Sequence, residues 1–497
     1  MLGLPFLDIF SRILLIFIVI YYLITNLQWY NYSFYRVLTK HHKIHWHFYY
    51  LIIPLLMFFI LTPFYSGFIF FMYLYLVALP MFILWCVRID KKLVWTKRIL
   101  RFFGITLVFT LLSELIIYDY GEYLYYKNIL IFIPLIFSFI LSTFCEYILF
   151  KKYARLASDK IAKATNLTII AITGSYGKTS IKNFIYEILK TKYITYATPR
   201  SVNTYKGLVR DINQNLDSKT QIYIAEAGAR SMGDIADISN LLQRHYAVIS
   251  KIGKSHIEYF KDIQNTIQTK FEILYSNRLI RAFSHIQNKL PMHFHSEFSD
   301  NLENIKKYPL NIRNINANLD YTSFEMQIDS KWEIFKTLIL GKFNVDNIAV
   351  AILMAIELQI DIDSIKEAVA NLTPVAHRLN KILSAQKIIL DDSFNGNLEG
   401  MKEAIRLSSL HKGRKVIVTP GLVEYDENSN IEICKEIDRV FDLVIITGDL
   451  NATLFNNNIT ISQKIMLKDK SELENVLSKS GRAGDLVLFA NDAPNYI

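Results

Sequence analysis

A glycine-containing turn between a buried strand and a helix constrains this chain more than any other feature. Residues 167–173 form an apolar, β-branched run, and a helical pattern begins at Thr179 after two glycines. Such a turn presents backbone N–H groups to an anion, and the helix dipole adds partial positive charge. The segment therefore predicts a phosphate-binding loop on a parallel α/β sheet. Its candidate nucleotide-binding residues are Gly174, Ser175, Gly177, Lys178, Thr179 and Ser180.

The loop is a short form of the usual P-loop. A usual P-loop has a glycine at the position that Ile172 occupies here. The alternative is a Gly-Lys-Thr turn that occurs in a loop by chance. The strand before it and the helix after it favour the phosphate loop.

The first 150 residues are dominated by apolar runs. Five runs come close to the roughly 20 residues that cross a bilayer, and they lie at 4–30, 48–64, 66–87, 99–117 and 129–150. A cleavable signal peptide would explain only the first of them. Residues 1–150 are therefore predicted to be a membrane region of about five transmembrane helices.

The charges between these runs predict an orientation. Basic clusters follow the first, third and fifth runs, whereas the loops after the second and fourth runs carry almost no basic residues. The positive-inside rule then places the N-terminus outside and the chain after residue 150 in the cytoplasm, as expected for a multi-pass protein of the cytoplasmic (inner) membrane. Arg12 lies on the wrong side in this scheme. Glu114, inside the fourth run, is either functional or reaches toward lipid headgroups.

Composition excludes several other classes. The net charge of +10 does not predict nucleic-acid binding, because no basic stripe interleaved with aromatics occurs in the polar part of the chain. Three cysteines are too few for a disulfide framework. The group His41, His42, His45 and His47 is either a metal site or an interfacial cluster beside Trp46, and the second interpretation is favoured.

After residue 155 the pattern changes to short apolar strands that alternate with helices, which is typical of parallel α/β sheets. The predicted strands lie at 222–226, 246–250, 388–391, 415–419, 443–447 and 485–489. Alternation over 321–332 predicts an antiparallel hairpin. A boundary near Pro374 separates a central domain, 151–374, from a C-terminal domain, 375–497.

Two further stretches place polar residues at the end of a strand or in the loop that follows one. Glu226 ends the strand in Ala225-Glu-Ala-Gly-Ala-Arg, where the carboxyl edge of an α/β sheet binds ligands, and its carboxylate could hold magnesium. His256 follows the next strand, although a lone loop histidine is more often structural.

Six ordered motifs together resemble the Mur ligase family. They are Gly-Ser-x-Gly-Lys-Thr from 174, Glu-x-Gly-Ala-Arg from 226, Ile-Gly-x-x-His from 252, Thr-Lys-x-Glu-Ile-Leu from 269, Gly-Lys-Phe-Asn-Val-Asp-Asn from 341, and Asp-Asp-Ser-Phe-Asn-Gly-Asn from 391. The second and sixth are most similar to the D-alanyl-D-alanine-adding branch. The implied fold is a P-loop central domain with a smaller Rossmann-like C-terminal domain, preceded here by the α-helical membrane region.

The resemblance implies a nucleotide site built from separate motifs. Lys178 would contact the β/γ-phosphates of ATP and Thr179 a magnesium ion. Asn344 and Asn347 match the motif that contacts adenine, and Arg378 matches a C-terminal residue that closes onto ATP. ATP and Mg²⁺ are therefore the expected cofactors.

Metal, catalytic and substrate roles follow in the same way. The implied metal-site residues are Thr179, Glu226, His256 and Lys270, the last matching a lysine that family members carbamylate. The implied catalytic residues are Lys178, Lys270, His256 and Asp392. The implied substrate residues are Asn203, Asn395 and Asn397, of which the last two lie where the incoming dipeptide is expected.

The function that the resemblance implies is ATP-dependent amide ligation in cell-wall synthesis, in which D-alanyl-D-alanine is joined to UDP-N-acetylmuramoyl-tripeptide through an acyl phosphate. Two alternatives stay open: a membrane-bound ligase for a lipid-linked muropeptide or another amide, and a non-catalytic ATP-binding module. The chain departs from the family pattern at Phe343, Phe394 and Leu398. A membrane region also stands in place of the usual N-terminal domain, which binds the UDP end of the substrate.

Overall fold

The computed structural model describes most of the chain and divides it into two compact units, Met1–Lys152 and Tyr153–Ile497. The described residues are 3–39, 41, 43–63, 68–89, 91–120, 127–200, 202–253, 260, 262–384, 386–394, 396–423 and 425–492.

In its described residues the first unit consists of helices joined by turns and irregular segments. Its helices are α1 (Gly3–Trp29), α2 (Phe34–Thr39), α3 (His45–Leu61), α4 (Phe68–Arg88), α5 (Lys97–Tyr120) and α6 (Phe132–Lys163), the last of which continues into the second unit. Single π-helical turns interrupt α3 and α4.

Four of these helices are long and apolar enough to cross a bilayer, namely α1, α4, α5 and α6. The expected five spans are therefore corrected among the described residues. The predicted second span falls in α3, which is a shorter apolar helix over His45–Leu61. The apolar run does not show where the helix begins. The first turn of α3 is formed by the residues His45–His47, which precede the run.

Two polar features within the first unit are paired rather than isolated. Arg12 on α1 donates to Glu114 on α5 at 2.7 Å, and it also pairs with Asp8. The Tyr22 hydroxyl lies 2.7 Å from His47 Nδ1, and His41 Nε2 lies 2.8 Å from Asn26 Oδ1. His41 and His47 are both buried, so these two histidines act as hydrogen-bonding core residues.

The second unit begins with a six-stranded parallel sheet in the order β2-β3-β1-β4-β5-β6. Its strands are β1 (Thr168–Thr173), β2 (Thr195–Ala197), β3 (Ile222–Glu226), β4 (Tyr246–Ile249), β5 (Arg281–His285) and β6 (Ile305–Tyr308). Because Ile172 pairs with Glu226 and Thr173 with Ile249, the central strands end side by side at one edge. That edge carries the phosphate loop.

Helices connect these strands and pack on the sheet, and the core lies between strand side chains such as Ile170 and Ile172 and helix side chains such as Phe184 and Ile348. The β-branched run of β1 is buried from both faces, as expected for the centre of a parallel sheet. The helices of this part are α7 (Lys178–Leu189), α8 (Tyr205–Asn215), α9 (Asp234–Leu242), α10 (Ile263–Phe271), α11 (Phe343–Glu357) and α12 (Ile362–Ala370).

A three-stranded antiparallel sheet, β7 (Ile312–Ala317), β8 (Thr322–Ile328) and β9 (Lys331–Thr337), separates β6 from α11. The predicted hairpin over 321–332 is confirmed as the β8–β9 pair. The stacked rings of Phe324 and Phe335 fill its inner face.

A second six-stranded sheet lies after Pro374, in the order β10-β11-β15-β12-β13-β14, and only the β10–β11 pair is antiparallel. Its strands are β10 (Asn380–Ser384), β11 (Lys387–Asp392), β12 (Lys415–Thr419), β13 (Leu443–Thr447), β14 (Gln463–Leu467) and β15 (Leu486–Ala490). Its helices are α13 (Leu398–Ser409), α14 (Glu427–Val440), α15 (Ala452–Asn458) and α16 (Leu473–Ser480).

Candidate active site

The phosphate loop follows β1 and ends at the first residue of α7. Gly174 and Gly177 have φ values of +136° and +80°, which side chains with a Cβ rarely adopt. A Cβ at Gly174 would also lie 2.0 Å from Ser250 Oγ, and one at Gly177 would lie 2.5 Å from Asn347 Oδ1. These glycines therefore allow the loop to pack closely against both β4 and α11.

Neighbouring backbone holds the rest of the loop. The N–H groups of Ser175 and Tyr176 both donate to the carbonyl of Lys251, at 3.1 and 3.2 Å. Ser175 Oγ donates to the Gly253 carbonyl at 3.1 Å, and Ser250 Oγ donates to the Tyr176 carbonyl at 2.5 Å. The segment after β4 thus supports the loop from one side.

Lys178 folds back over this loop. Its ammonium donates to the carbonyls of Gly174 and Ser175 at 2.9 and 3.1 Å. Burial lowers the pKa of Lys178, while Glu226 raises it and Arg378 lowers it further. The ammonium is therefore held within the loop, where the phosphate groups of a nucleotide would need a cation.

Thr179 and Glu226 form an oxygen-rich pair at the carboxyl edge. Thr179 Oγ1 donates to Glu226 Oε2 at 2.9 Å, and Asn203 Nδ2 donates to Glu226 Oε1 at 3.1 Å. Glu226 is only 1% exposed. A hydroxyl beside a buried carboxylate is the oxygen donor set that suits Mg²⁺.

Lys270 is buried near the end of α10, with its ammonium 5.9 Å from the ring of Phe260. Burial and the charge of Lys178 lower the pKa of Lys270 to about 7, against smaller opposing effects of Asp234, Glu272 and Glu226. A lysine in this state is partly neutral at physiological pH, which a surface lysine is not.

One pocket brings several of the expected nucleotide residues together. Gly177, Ser180, Asn344, Asn347 and Arg378 all line it. Asn347 Nδ2 donates to Asn344 Oδ1 at 3.0 Å, and Asn344 Nδ2 donates to the Leu340 carbonyl at 2.8 Å, so the two amides are fixed relative to each other.

Residues after Pro374 close the other side of this pocket. Arg378, Asp392 and Phe394 line it, with the Arg378 guanidinium 5.2 Å from the Phe394 ring. Burial raises the pKa of Asp392 to about 6, although the Arg378 charge and the Leu379 N–H oppose the shift. At 5.2 Å from the Arg378 guanidinium, the ring of Phe394 covers part of that side chain.

Of three further expected substrate and metal residues, the structure describes Asn397 alone. Asn397 lines the pocket but caps α13, where its side chain accepts from Gly400 N at 2.8 Å. His256 and Asn395 lie outside the residues that the structure describes. Their expected roles stay predictions.

Several residues at the site were not predicted from the sequence. Lys182, one turn after Lys178, is 1% exposed and reaches the Thr198 carbonyl at 2.7 Å. His285 and Asp346 line the nucleotide pocket and lie 3.2 Å apart. The spacing of four residues from Lys178 could have revealed Lys182, because residues i and i+4 share a helix face.

Sequence comparison supplies the family. A family profile described as the Mur ligase middle domain matches residues 172–355. The UDP-N-acetylmuramoyl-tripeptide--D-alanyl-D-alanine ligase of Buchnera aphidicola subsp. Acyrthosiphon pisum is 28% identical over 346 residues, which cover 66% of this chain and 74% of that protein. The chain therefore contains a Mur ligase middle domain. The enzyme of the same name from Buchnera aphidicola subsp. Baizongia pistaciae is 30% identical over 318 residues, covering 61% of this chain and 65% of that protein.

Solved structures of the family show the same fold. MurF from Acinetobacter baumannii superposes with a TM-score of 0.59 at 21% identity, covering 68% of this chain and 77% of that one. MurF ligase from Thermotoga maritima in complex with ADP gives 0.57 at 22% identity, covering 69% and 80%. These likenesses establish the Mur ligase fold of the α/β part.

Proposed function

We propose that this chain is an ATP-dependent ligase of the MurF type, which joins D-alanyl-D-alanine to UDP-N-acetylmuramoyl-tripeptide. The single observation that supports this most is the pocket in which Gly177, Asn344 and Arg378 meet, since it unites the three motifs expected to bind ATP. Two proteins similar to this chain bear the name of that ligase.

The reaction requires cations and a dry site. The acceptor carboxylate attacks the γ-phosphate of ATP and displaces ADP. The dipeptide amine then attacks the acyl phosphate, and the tetrahedral intermediate loses phosphate and a proton to leave an amide. Lys178 would stabilise charge on the β/γ-phosphates, and Arg378 would do so from the C-terminal domain. Asn344 and Asn347 would orient the base. Closure of the C-terminal domain over the pocket would exclude water from the acyl phosphate.

Magnesium fits the donor set at the carboxyl edge. We assign Thr179 and Glu226 as its protein ligands, because a hydroxyl and a buried carboxylate lie 2.9 Å apart there. Bound magnesium supplies charge neutralisation for the phosphates and the attacking carboxylate. Lys270 would join this site as a carbamate, for which a partly neutral amine is required.

We also propose that the first unit holds the enzyme in the cytoplasmic membrane, with the catalytic part in the cytoplasm. Four helices of sufficient length and hydropathy support this, and with four crossings the basic clusters after the third and fifth apolar runs lie on the same side. This anchorage would place the active site near lipid-linked cell-wall precursors. A lipid-linked muropeptide is therefore the second candidate acceptor.

The test is an assay of phosphate release and product formation by the detergent-solubilised full-length protein. UDP-N-acetylmuramoyl-tripeptide and a lipid-linked muropeptide would be compared as acceptors, each with D-alanyl-D-alanine and a panel of other amines. Ligation of the UDP-linked acceptor with the dipeptide, abolished by Lys178→Ala, is the expected result. ATP binding without ligation of any acceptor would leave only a nucleotide-binding module, and ligation unaffected by Lys178→Ala would remove the phosphate-loop assignment.

A further inference from the structure

Lys182 is a buried cation that the phosphate-loop mechanism does not use. It lies on α7 one helical turn after Lys178, and only 1% of it is exposed. Burying an ammonium is costly unless it is paired and hydrogen-bonded. Its surroundings therefore explain why a lysine can occupy this core position.

Its hydrogen bonds all lead to the segment after β2. The Lys182 ammonium donates to the carbonyl of Thr198 at 2.7 Å and to the carbonyl of Arg200 at 2.6 Å. Arg200 has a φ of +47°, a left-handed conformation that is unfavourable for a side chain with a Cβ. The bond to its carbonyl helps to hold the segment in this turn.

The same ammonium lies beside the central carboxylate of the site. Lys182 Nζ is 3.8 Å from Glu226 Oε2, the oxygen that also accepts from Thr179. Both side chains are almost fully buried, so this attraction is weakly screened by solvent. Lys182 therefore contacts both the carboxylate and the segment that faces it.

The segment returns to the site at Asn203. Its side chain donates to Glu226 Oε1 at 3.1 Å, and its carbonyl accepts from Gly228 N at 2.7 Å. A Cβ at Gly228 would lie 2.9 Å from the Asn203 side chain, so Asn203 packs directly against the backbone of Gly228. Thr198, Arg200 and Asn203 thus form one structure around Glu226.

We propose that Lys182 is a positioning residue that couples the phosphate-loop helix to Thr198, Arg200 and Asn203, which form the segment on the acceptor side. Its two carbonyl contacts hold the segment so that Asn203 meets Glu226, at the edge where the acceptor carboxylate must approach the γ-phosphate. This inference deepens the proposed function and rests on it. It means that this segment helps to bind the anionic acceptor rather than ATP.

The competing explanation is that Lys182 only fills and satisfies the core. In that case its replacement would lower overall stability and leave the balance between the two substrates unchanged. A positioning role predicts a selective effect on the acceptor. Two independent measurements separate these explanations.

The first measurement needs no substrate. Hydrogen exchange of backbone amides in the segment 198–204 is compared between the full-length wild type, Lys182→Met and Lys192→Met. Lys192 is the matched control, because its ammonium also donates to a backbone carbonyl, that of Gln359 at 2.5 Å, but lies just beyond the other end of α7. Exchange in the segment should become at least tenfold faster in Lys182→Met and stay unchanged in Lys192→Met.

The second measurement compares the acceptor KM with the affinity for ATP. In Lys182→Met the acceptor KM should rise about tenfold or more, while the affinity for ATP, measured directly with a fluorescent analogue, should change less than twofold. Equal loss of both affinities, or unaltered exchange in the segment, would overturn the proposal. If the wild type ligates no acceptor, the proposed function fails, yet the exchange experiment still decides whether Lys182 holds the segment.

A second variant keeps the proposal testable if Lys182→Met does not fold. Lys182→Gln retains N–H donors on a shorter side chain. It should therefore raise the exchange rate of the segment and the acceptor KM less than Lys182→Met does, again with little change in the affinity for ATP. If neither variant folds, Lys182 belongs to the structural core and the positioning role is rejected.

Discussion

The hydroxyl oxygens of Tyr176 and Tyr425 lie 2.8 Å apart, which joins the phosphate loop to the segment after β12. Tyr176 lies in the part of the chain before Pro374 and Tyr425 in the part after it. The ammonium of Lys251 and the carboxylate of Glu399 form a second connection at 2.5 Å, although Glu399 is largely exposed. Because exposed ion pairs contribute little, the tyrosine pair is the more informative contact between these parts.

Tyr425→Phe should weaken the closed arrangement of the nucleotide pocket. A hydrogen bond of this kind contributes about 1 kcal/mol, so its loss reduces the closed population up to about fivefold. The apparent Kd for ATP should rise by up to the same factor, measured by titration of the solubilised protein. Tyr186→Phe, on α7 away from this contact, is the control and should bind as the wild type does. An unchanged Kd in Tyr425→Phe would show that the contact does not contribute to closure.

Several of the strands and the phosphate loop could be predicted because local pattern determines them. The β-branched run of β1, the glycines at 174 and 177, and the placement of Glu226 at the end of β3 all follow from strand-and-turn chemistry. Parallel pairing then brings strand ends together at one edge, whatever their distance in sequence.

Long-range pairing of single side chains could not be predicted in this way. In the sequence analysis Arg12 was an exception to the positive-inside scheme, and Glu114 was either functional or near headgroups, because each residue was considered alone. The structure pairs them at 2.7 Å, over a separation of 102 residues. Lys182 was overlooked for the same reason, since its partners at Thr198 and Arg200 lie in another element.

The Arg12–Glu114 pair should be strongly coupled. Its side chains are 8% and 10% exposed, and removing one partner of a buried pair typically costs about 3–5 kcal/mol because the other charge stays buried. Arg12→Gln and Glu114→Gln should each lower the thermal midpoint in detergent, whereas the double variant should lose less than the sum. The pair Arg101 and Glu146, which is more exposed, is the control and should show coupling under ~1 kcal/mol. Strictly additive losses at Arg12 and Glu114 would argue against the pair.

The orientation of the membrane region can be tested with reporter fusions. Fusions after residues 120 and 155 should report opposite sides of the cytoplasmic membrane, with the second in the cytoplasm, because the basic cluster beginning at Lys151 follows the last apolar run. An alkaline phosphatase and a fluorescent protein reporter, used at both positions, give complementary signals. Both positions on one side would contradict the proposed topology.

Asp392 should make stability depend on pH in a defined direction. Burial raises its pKa from 3.8 to about 6, so the folded state keeps a proton between these values that the unfolded state releases. Stability from this group is therefore full below pH 3.8 and is lost as pH rises through about 6. Asp392→Asn cannot lose a proton there, so its urea-unfolding free energy relative to wild type should rise across this window by on the order of 2 kcal/mol.

Asp438 provides a control of opposite sign. Burial alone would raise its pKa, but the N–H groups of Ser462, Thr460 and Ile461 lower it to about 2. Its contribution is present above pH 3.8 and is lost as pH falls toward 2, so Asp438→Asn should be destabilising at neutral pH. A flat difference between Asp392→Asn and wild type from pH 4 to 6 would show that the Asp392 carboxylate is not desolvated.

Lys270 separates a ligase from a nucleotide-binding module most clearly. If it were an ordinary surface lysine, its loss would cost under ~1 kcal/mol and leave catalysis intact. It is instead 4% exposed, and burial followed by the charge of Lys178 lowers its pKa to about 7. The neutral amine can attack carbon dioxide and release a proton, which converts a cation into a carbamate anion beside the proposed magnesium ligands Thr179 and Glu226.

Lys270→Ala should therefore reduce ligation at least a hundredfold without unfolding the protein, because the carbamate's negative charge would be missing from the metal site. Acetate or formate should partly restore activity by occupying the carbamate's position, whereas Lys270→Arg should stay inactive and unrescued because arginine keeps its charge. Lys190→Ala, which removes an exposed lysine paired with Glu187, is the matched control and should ligate normally. Turnover is measured as product formed at saturating magnesium, with folding checked by thermal unfolding. Near-normal ligation by Lys270→Ala under these conditions would mean that no carbamate forms here and that other residues complete the metal site.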